Sequence, residues 1–480
     1  MISPSGERLT LTQFIAGAFL KEQISIVSSL NAQNRLDAEY YLPKFLRYEK
    51  IVASTNGGLL ENFIDEIIQP SEFIRNYIPE DTDGAIFWTA KNIRPGFINT
   101  DNVSLIDWSI YNSIPNAHVN EGDILITRTG ANAGDCAVVP NGTRNVAVSS
   151  HTLRLIPNDT DIGYAIGIFF ASSLGREVLF RTVSGSSRPQ ITKEALKQLF
   201  LPNFSRIATE IKNQVQLAID TKAKSKRLYA EAEELLLAAL GLDELDLSPQ
   251  LSYTAMLEDV TTAERLDPDY FQPQIIQVLR QIESQSPIRL RRWGRVKSGY
   301  PWKSVYFIEE NGEPFVRIRD CKPGAIDIST LTSLDPAYAR GEVQKKAQAG
   351  DIVIGMDGVK YFYGSLIIDP CYVNQRVAWV SPRKDRTIPS EYILLIVNSL
   401  VGQSQLLREM TIAQTVGHIT NGAVRNLLIP LLSTNQINML GDLIKTSIEA
   451  KQEAKQLLET AKQRVEQMIL RESLAPPPLP

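Results

Sequence analysis

An internal repeat runs through this chain of 480 residues and constrains its fold more than any other feature of the sequence. Arg-Leu-Asp-Ala-Glu-Tyr-Tyr-Leu-Pro at 35–43 recurs as Arg-Leu-Asp-Pro-Asp-Tyr-Phe-Gln-Pro at 265–273. Three further segments recur in the same order and at nearly the same separation: 87–98 with 315–326, 122–126 with 350–354, and 199–202 with 427–430. Solenoid repeats are much shorter, with about 20–45 residues each. We therefore expect one module to be duplicated in tandem, with pseudo-twofold symmetry.

Each copy of the module begins with a strand-rich part, at about 36–204 and about 266–432. Alternation of apolar and polar residues and β-branched runs between glycines predict strands, whereas longer apolar runs predict helices. The segments predicted as strands are 122–130, 147–156 and 371–380, and those predicted as apolar helices are 163–179 and 392–407. The module therefore mixes strands with helices, as in the α+β class.

Each copy ends in a long segment without proline, at about 206–241 and about 434–470. Mostly small and apolar residues return at alternating steps of four and three, from 211 to 239 and again from 440 to 468, with Lys222 and Lys451 at the same place. This spacing is typical of a coiled-coil seam. A lone helix of about 36 residues, roughly 54 Å long, would be marginal in water with seam residues this small. We expect the two helices to pair, antiparallel because they are twofold-related, with one strand-rich part at each end.

The composition places the chain among ordinary globular proteins, with 43% hydrophobic and 22% charged residues. Its formal charge of −4 argues against a uniformly basic coat for nucleic acid or anionic lipid, although it permits a local basic face. The start has no signal-peptide pattern, and no apolar run is long enough to span a membrane. Three cysteines are too few for a disulfide framework, and each is interpreted as a buried free thiol. These features predict a soluble, cytoplasmic protein.

With these repeated segments and long helices, the sequence resembles the specificity subunit of type I restriction–modification systems. The resemblance rests on the Leu-Asp-x-x-Tyr-aromatic segments at 36–41 and 266–271, Gly-Asp-Ile-Leu-Ile-Thr-Arg-Thr-Gly at 122–130, and Ser-Gly-Ser-Ser-Arg-Pro-Gln-Ile at 184–191. It covers the chain from about 36 to 470 and leaves the N-terminal segment at 1–30 unexplained.

The resemblance implies an α+β fold with two tandem-duplicated, β-rich target recognition domains. These are joined by two long antiparallel coiled-coil helices in a pseudo-twofold arrangement. The corresponding boundaries are an N-terminal extension at 1–35, target recognition domain 1 at 36–205, spacer helix 1 at 206–242, a linker at 243–260, target recognition domain 2 at 261–433, spacer helix 2 at 434–471 and a Pro-rich tail at 472–480.

The resemblance also implies a non-catalytic subunit that binds double-stranded DNA. Each recognition domain would read one half of a bipartite target, and the helices would set the gap. Two methyltransferase subunits that modify adenine with S-adenosylmethionine are the expected partners, joined in restriction complexes by two translocase-nuclease subunits that use ATP and Mg²⁺. The sequence agrees, because it has no phosphate-binding loop, no Asn-Pro-Pro-aromatic segment and no metal-type spacing. No cofactor is expected in this chain.

Candidate DNA-contacting residues lie in turns and loops of both copies, where a rigid scaffold often carries function. Arg128 follows a predicted strand and can reach guanine or phosphate, but a structural turn is an equal interpretation. The candidates of the first copy are Lys91, Asn92, Arg94, Thr127, Arg128, Thr129, Ser149, His151, Ser184, Ser186, Ser187 and Arg188. Those of the second copy are Arg295, Lys297, Tyr300, Trp302, Arg317, Arg319, Lys322, Asp357, Lys360, Tyr361, Gln375, Arg376, Gln414 and His418.

The segment 289–307 has the highest density of positive charge in the chain. It contains Arg289, Arg291, Arg292, Arg295, Lys297 and Lys303, and no acidic residue lies between Glu283 and Glu309. Interleaved aromatic residues suit contact with a nucleic-acid backbone. The alternative is a solvated strand whose aromatic side chains face the core. The matching segment of the first copy is acidic, so the basic character is not shared.

Three other functions stay open from the sequence. The chain can serve a fused methyltransferase-endonuclease or a phage-defence methylation system in the same DNA-reading role. It can be a two-headed protein scaffold without DNA binding, which the net negative charge favours. An enzyme built on the β-rich parts is disfavoured, because the three histidines (His118, His151 and His418) have no obvious nucleophile partner in sequence.

Overall fold

The computed structural model describes residues 42–474, except 75, 80, 184–189, 249, 310, 343–345, 386 and 414–415. The chain divides into two compact units. Unit 1 comprises residues 1–221 and 453–480, and unit 2 comprises residues 222–452. The expected N-terminal extension and the proline residues of the tail lie outside the described residues.

Unit 1 contains helices α1 to α5 and twelve described strands. The helices are α1 (Pro43–Ala53), α2 (Trp108–Ser113), α3 (Thr160–Ala171), α4 (Ser173–Phe180) and α5 (Lys193–Lys197). The strands are β1 (Gly57–Leu59), β2 (Ile64–Ile68), β3 (Tyr77–Ile78), β4 (Ala85–Trp88), β5 (Ile93–Arg94), β6 (Phe97–Ile98), β7 (Ser104–Ile106), β8 (Ile124–Thr127), β9 (Cys136–Val138), β10 (Val146–Val148), β11 (Thr152–Pro157) and β12 (Phe200–Pro202).

Two four-stranded sheets form the centre of unit 1, with the orders β10-β4-β7-β3 and β2-β11-β8-β9. Residues of β8 alternate between two apolar clusters, because successive side chains of a strand point to opposite faces. Ile124 and Ile126 belong to the larger cluster with α3 and α4, whereas Leu125 belongs to a smaller cluster with Trp88. Strand β8 is therefore buried on both faces, and the turn after it is fixed by the core.

Unit 2 repeats this arrangement. The remaining helices of the chain are α6 (Ala208–Ala239), α7 (Leu257–Ala263), α8 (Pro273–Ser284), α9 (Leu290–Trp293), α10 (Pro336–Gly341), α11 (Ser390–Asn398), α12 (Leu400–Arg408), α13 (Asn421–Asn426) and α14 (Thr434–Leu474). Helices α7 to α13 lie in unit 2, and the two long helices α6 and α14 are divided between the units. The strands of unit 2 are β13 (Ile288–Arg289), β14 (Gly294–Ser298), β15 (Phe307–Ile308), β16 (Glu313–Val316), β17 (Thr332–Leu334), β18 (Ile352–Gly355), β19 (Asp357–Gly358), β20 (Gly364–Leu366), β21 (Tyr372–Val373), β22 (Val377–Pro382), β23 (Thr411–Ala413), β24 (Val416–His418) and β25 (Leu428–Ile429).

The sheets of unit 2 have the same strand orders as those of unit 1. The sheet β14-β22-β18-β20 matches β2-β11-β8-β9, and β21-β16-β17-β15 matches β10-β4-β7-β3. The two-stranded sheets β1-β12 and β13-β25 also match. Unit 2 adds the three-stranded sheet β19-β24-β23, whereas the matching place in unit 1 has an isolated bridge between Thr129 and Gln190.

The two apolar segments predicted as single helices are each broken into two helices, which corrects the prediction. Residue Ser172 separates α3 from α4, which meet at 82°, and Ser399 separates α11 from α12. Each serine has extended backbone angles, and the chain turns there. A glycine follows three residues later, where a Cβ atom would lie 1.8 Å from the Phe169 carbonyl oxygen at Gly175 and 2.3 Å from that of Ile396 at Gly402. Apolar periodicity alone does not report such a close approach.

The two long helices α6 and α14 contribute residues to both units. In unit 1 the start of α6 packs with the end of α14, where Ile211 and Val465 share one apolar cluster. In unit 2 the end of α6 packs with the start of α14, where Leu236 and Leu440 share another. Most of the predicted seam positions are buried, although Lys451 is exposed.

Among the described residues, no single helix is long and apolar enough to cross a membrane. Taken together, the bent pair α3 and α4 has the length and composition of a membrane-spanning segment, but most of its residues are buried in unit 1.

Candidate nucleic-acid interface

In unit 1 the candidate site lies at the turn that follows β8. The backbone N–H of Arg128 donates to the His151 carbonyl at 2.7 Å, and the Arg128 carbonyl accepts from the Ile191 N–H at 3.0 Å. The Thr129 hydroxyl and His151 Nδ1 lie 2.9 Å apart in a hydrogen bond. Gln190 lies opposite Thr129 in a β-bridge and is exposed. The turn therefore brings Arg128, Thr129, His151 and Gln190 together.

The Arg128 guanidinium is held by a residue that the sequence did not single out. Its Nη1 donates to the Gln69 side chain at 2.9 Å. The side chains of Thr127 and Ser149, also candidates, are buried beneath the turn. These two cannot contact DNA without rearrangement, whereas Arg128 is half-buried.

In unit 2 an open cleft of about 440 Å³ collects several of the candidates. Its lining residues are Ser298, Met356, Gln375, Arg376, His418, Thr420 and Asn421. Asp357 accepts a hydrogen bond from Arg376 Nη1 at 3.2 Å and lies 2.6 Å from His418 Nδ1. The Arg376 side chain is 55% exposed and that of His418 is 35% exposed, against 19% for Asp357. The carboxylate thus holds one exposed and one half-buried nitrogen-bearing side chain, those of Arg376 and His418.

Strand pairing brings distant parts of the sequence to this cleft. Asp357 pairs with His418 in the antiparallel pair β19 and β24. Asn421 begins α13, and its side chain contacts the Ser298 hydroxyl at the end of β14. Gln, Arg and Asn, which form well-known hydrogen bonds to base edges, therefore meet at one opening with His, whose ring nitrogens can donate or accept.

The turns with Pro-Gly at 95–96 in unit 1 and at 323–324 in unit 2 place their cations differently. In unit 1 the Asn92 amide is buried, accepting from the Thr89 N–H and donating to the Asn99 carbonyl, both at 2.9 Å. That amide therefore shapes the turn, and Lys91 beside it is exposed. Arg94 is half-buried and donates to the Ile93 carbonyl at 2.8 Å.

In unit 2 the matching turn holds Arg317, Arg319 and Lys322. The Arg317 guanidinium lies 5.5 Å from the centroid of the Phe315 ring and donates to Thr332. The Arg319 side chain is 66% exposed, and Lys322 is exposed. Two of the three cations are therefore accessible.

The basic segment of unit 2 separates its cations from most of its aromatic residues. Trp302 is buried and donates from Nε1 to the Val373 carbonyl at 3.1 Å, so it belongs to the core. The Tyr300 hydroxyl lies 2.6 Å from the Glu342 carboxylate, which raises the pKa of Tyr300 to about 12. Arg295 and Lys297 are exposed on β14, and Lys297 Nζ lies 4.7 Å from the Trp379 ring centroid. The aromatic residues support the strand while the cations face solvent.

The loop after β19 presents Lys360 and Tyr361 to solvent, and the Tyr361 ring stacks on Tyr363 at 5.0 Å between centroids. Five other candidates lie outside the described residues: Ser184, Ser186, Ser187, Arg188 and Gln414.

The cysteines are free and buried, and burial raises the pKa of each thiol, for Cys371 to about 12. His118 stacks on Tyr111 at 3.8 Å between centroids and contacts the Tyr111 carbonyl. In the part of the chain that the structure describes, no group of three or more His, Cys, Asp or Glu residues could hold a metal ion.

Sequence reasoning missed six residues of these sites: Gln69, Gln190, Ser298, Met356, Thr420 and Asn421. A signal existed for Gln190, because it occupies the place in the first copy of the repeat that His418 occupies in the second. The other five carry no such signal, since residues of these types are common at strand ends and helix starts.

Comparisons with known proteins give structural neighbours only. No protein-family model matches the chain, and neither does any curated protein. The S subunit of a type I restriction–modification system from M. genitalium is similar at 12% identity and a TM-score of 0.41, covering 87% of this chain and 95% of that chain. The HsdS subunit from Thermoanaerobacter tengcongensis is similar at 14% identity and a TM-score of 0.27, covering 86% and 95%. A chain described for complex assembly and conformational transition of the type I R-M system is 16% identical, with a TM-score of 0.28, covering 87% and 97%.

Proposed function

We propose that this chain is a sequence-specific DNA-binding subunit without catalytic activity of its own. Each unit reads one half of a bipartite target in double-stranded DNA. The observation that carries the proposal is the cleft of unit 2, where Gln375, Arg376, His418 and Asn421 converge. Such side chains form hydrogen bonds to base edges, and exposed cations nearby suit phosphate contacts.

The duplication supports a bipartite target. Two units with the same strand orders present the same kind of turn, and one recognition unit per half-site is the simplest use of such a pair. We further propose that α6 and α14 form an antiparallel coiled-coil spacer between two target recognition domains, which sets the gap between half-sites.

The proposed partners follow the sequence resemblance. Two adenine-methyltransferase subunits using S-adenosylmethionine would be directed to the target by this chain, and restriction complexes would add two translocase-nuclease subunits using ATP and Mg²⁺. The same reading role in a fused methyltransferase-endonuclease or a phage-defence methylation system is equally compatible with the cleft. All of these act on DNA in the cytoplasm.

Selection from random DNA tests the proposal directly. The full-length chain, alone and with co-expressed methyltransferase subunits, is incubated with duplexes carrying about 20 randomised base pairs, and bound duplexes are sequenced. We expect one enriched motif with two short defined parts and an undefined gap. The affinity for that duplex should fall steeply with added salt, because phosphate contacts release counterions. Binding without any enriched motif, or no binding with either preparation, would contradict the proposal and favour a protein scaffold.

The spacer can be tested separately with a length change in both helices. Inserting one heptad into α6 and another at the matching place of α14 adds about 10 Å to each helix while preserving the seam. We expect the gap between the two defined parts to lengthen by about 3 base pairs. Replacing the same number of residues without changing helix length is the matched control. An unchanged gap would remove the spacer from the proposal while leaving DNA reading intact.

A further inference from the structure

One backbone framework surrounds the turn in both units. Residue Arg128 donates its N–H to the His151 carbonyl and accepts from the Ile191 N–H, at 2.7 and 3.0 Å. In unit 2, Met356 donates to the Arg376 carbonyl and accepts from the Ile419 N–H, at 3.0 and 2.9 Å. Both backbone groups of the central residue are thus bound by segments far away in sequence. The positions of the neighbouring residues are therefore set by the backbone and not by their own side chains.

Three side-chain positions converge on this framework in each unit. The first position is the residue directly after the central residue. The second is the residue whose carbonyl accepts from the central N–H. The third is the residue directly before the one whose N–H donates to the central carbonyl. In unit 1 these positions hold Thr129, His151 and Gln190. In unit 2 they hold Asp357, Arg376 and His418. The first and third positions are paired across strands in both units, as Thr129 with Gln190 and Asp357 with His418.

The first position holds the side chain of the second in both units, with different chemistry. In unit 1 the Thr129 hydroxyl contacts His151 Nδ1 at 2.9 Å. In unit 2 the Asp357 carboxylate accepts from Arg376 Nη1 at 3.2 Å and also contacts His418. The geometry is retained while all three residue types differ.

Building on the proposed DNA-reading function, we propose that these three positions determine which bases each unit reads. Thr129 and Asp357 are positioning residues, and His151, Gln190, Arg376 and His418 contact base edges. A fixed frame with exchangeable side chains is what two units need to read different half-sites.

The chemistry of the second and third positions indicates the bases. A guanidinium carries five N–H donors, and Asp357 contacts it through Nη1, so Arg376 keeps donors for the O6 and N7 atoms of guanine. Gln190 is exposed and has the donor and acceptor that suit adenine. We expect guanine in the half-site of unit 2 and adenine in that of unit 1, each at the base pair that the three positions of that unit contact.

The test transplants the unit 1 set into unit 2 in the full-length chain. The triple variant Asp357→Thr, Arg376→His and His418→Gln is analysed by the same selection from random duplexes. We expect the half-site of unit 2 to lose its guanine preference by roughly five- to 150-fold, the range of one bidentate base contact, while the other half-site stays unchanged. Arg340→Ala is the matched control, because it removes an exposed cation of unit 2 that lies outside the set.

Two single variants separate positioning from reading. Asp357→Asn keeps the size of the side chain but weakens its hold on Arg376, and Thr129→Val does the same for His151. Each should relax one or two base pairs of its own half-site only. Melting curves confirm that the variants fold, and a purely structural role would lower stability without changing the enriched motif.

The outcomes distinguish this inference from the function beneath it. A wild-type motif that the triple and single variants all retain would overturn the inference alone. Equal weakening of both half-sites would also overturn it, because it indicates phosphate contacts. Absence of any motif with the wild-type chain would overturn the DNA-reading function and this inference together.

Discussion

Both units contain a buried aspartate at the same place, but the side chain that donates to it differs between them. In unit 1, Asp123 accepts from Nε of Arg154 at 2.6 Å, and the side chains of Arg154 and Asp123 are only 7% and 3% exposed. In unit 2, Asp351 is the matching residue of the repeat and accepts from Trp379 Nε1 at 2.7 Å. Each aspartate also accepts from the backbone N–H three residues earlier, at 2.7 Å and 2.8 Å. The aspartate therefore serves the turn in both units, and the neighbouring strand is free to supply a charged or a neutral donor.

A second difference lies beneath the two turns. Unit 1 has four buried polar side chains without a hydrogen-bond partner among the residues described: Trp88, Thr127, Ser149 and Thr152. Equivalent backbone hydrogen bonds and strand pairs assign the matching residues of unit 2: Val316, Gly355, Asn374 and Val377. Three of these four have no polar side chain. The backbone pattern thus tolerates a polar or an apolar interior, and substitutions can test how much each interior contributes.

The largest expected effect comes from breaking the buried ion pair of unit 1. The variant Arg154→Met keeps an unbranched apolar stem but removes the guanidinium, so the Asp123 carboxylate is left buried without its cation. We expect the free energy of unfolding to fall by about 3–5 kcal/mol, measured by urea unfolding. The matched variant in unit 2, Trp379→Phe, removes a neutral donor and should cost less. Because Trp379→Phe also deletes buried ring volume, a loss for Arg154→Met no larger than that of Trp379→Phe would contradict this account.

This loss should depend on pH. Burial raises the pKa of Asp123 above its ordinary value, against the opposing effects of a backbone hydrogen bond and of Arg154. A raised pKa means that the folded state binds the proton more tightly. The contribution of Asp123 to stability is therefore fully present below its unfolded-state pKa and is lost as the pH rises through its folded-state pKa. Removing Arg154 raises the pKa further, and the deficit of Arg154→Met should therefore grow as the pH rises above the ordinary pKa of an aspartate. A deficit independent of pH would contradict this account.

The next largest effect should come from giving unit 2 a hydroxyl like that of unit 1. Val377 is fully buried in an apolar cluster with Val316 and Val353. Val377→Thr preserves the shape and buries a hydroxyl there, so we expect a loss of about 1–3 kcal/mol in unfolding free energy. Val377→Ala, which deletes volume without adding polarity, is the control that separates the two causes. A neutral result would show that this interior accepts polar groups as unit 1 does.

The reciprocal change in unit 1 should have a smaller effect of opposite sign. Thr152 pairs across strands with Thr127, and both hydroxyls are buried. Thr152→Val removes one hydroxyl that has no partner among the described residues and keeps the β-branched shape. We expect a gain of about 1 kcal/mol in thermal or urea unfolding. A loss instead would show that this hydroxyl is hydrogen-bonded in solution.

The sequence predicted the elements that rest on local pattern. Long helices were expected at about 206–241 and 434–470 and occur at Ala208–Ala239 and Thr434–Leu474, because a seam repeated over nine positions is a strong periodic signal. The strand in 122–130 occurs at Ile124–Thr127. The helix breaks at Ser172 and Ser399 were not predicted, since they depend on the close approach of two consecutive helices at a glycine, which apolar periodicity does not encode.

The candidate site was predicted less completely, for a physical reason. Asp357 and His418 were singled out separately, but their contact spans 61 residues and depends on strand register that local pattern does not encode. Trp302 and Arg295 are neighbours in one basic segment, yet Trp302 is buried and Arg295 is exposed. Arg295 lies on β14, whereas Trp302 lies beyond its end and packs in a cluster with Phe315, a tertiary contact that charge density does not encode.

A similarly small effect is expected within the long helices. In unit 2 the Ser225 and Ser447 hydroxyls each donate to the carbonyl of the other residue, at 2.6 and 2.7 Å, and both residues are buried. The repeat of the seam places alanines at the matching positions in unit 1, Ala454 and Ala218, which are also buried.

Replacing both serines by alanine makes the helix contact of unit 2 like that of unit 1. Two neutral hydrogen bonds are lost, each with a net value of about 1 kcal/mol, but alanine has the better helix propensity by roughly 0.5 kcal/mol at each site. We therefore expect Ser225→Ala with Ser447→Ala to change the unfolding free energy by only about 1 kcal/mol. The reverse pair, Ala218→Ser with Ala454→Ser, should have a similarly small effect in unit 1. A loss of several kcal/mol in the first double variant would show that the serine pair specifies the contact in unit 2, so that the two halves of the helix pair are held by different interactions.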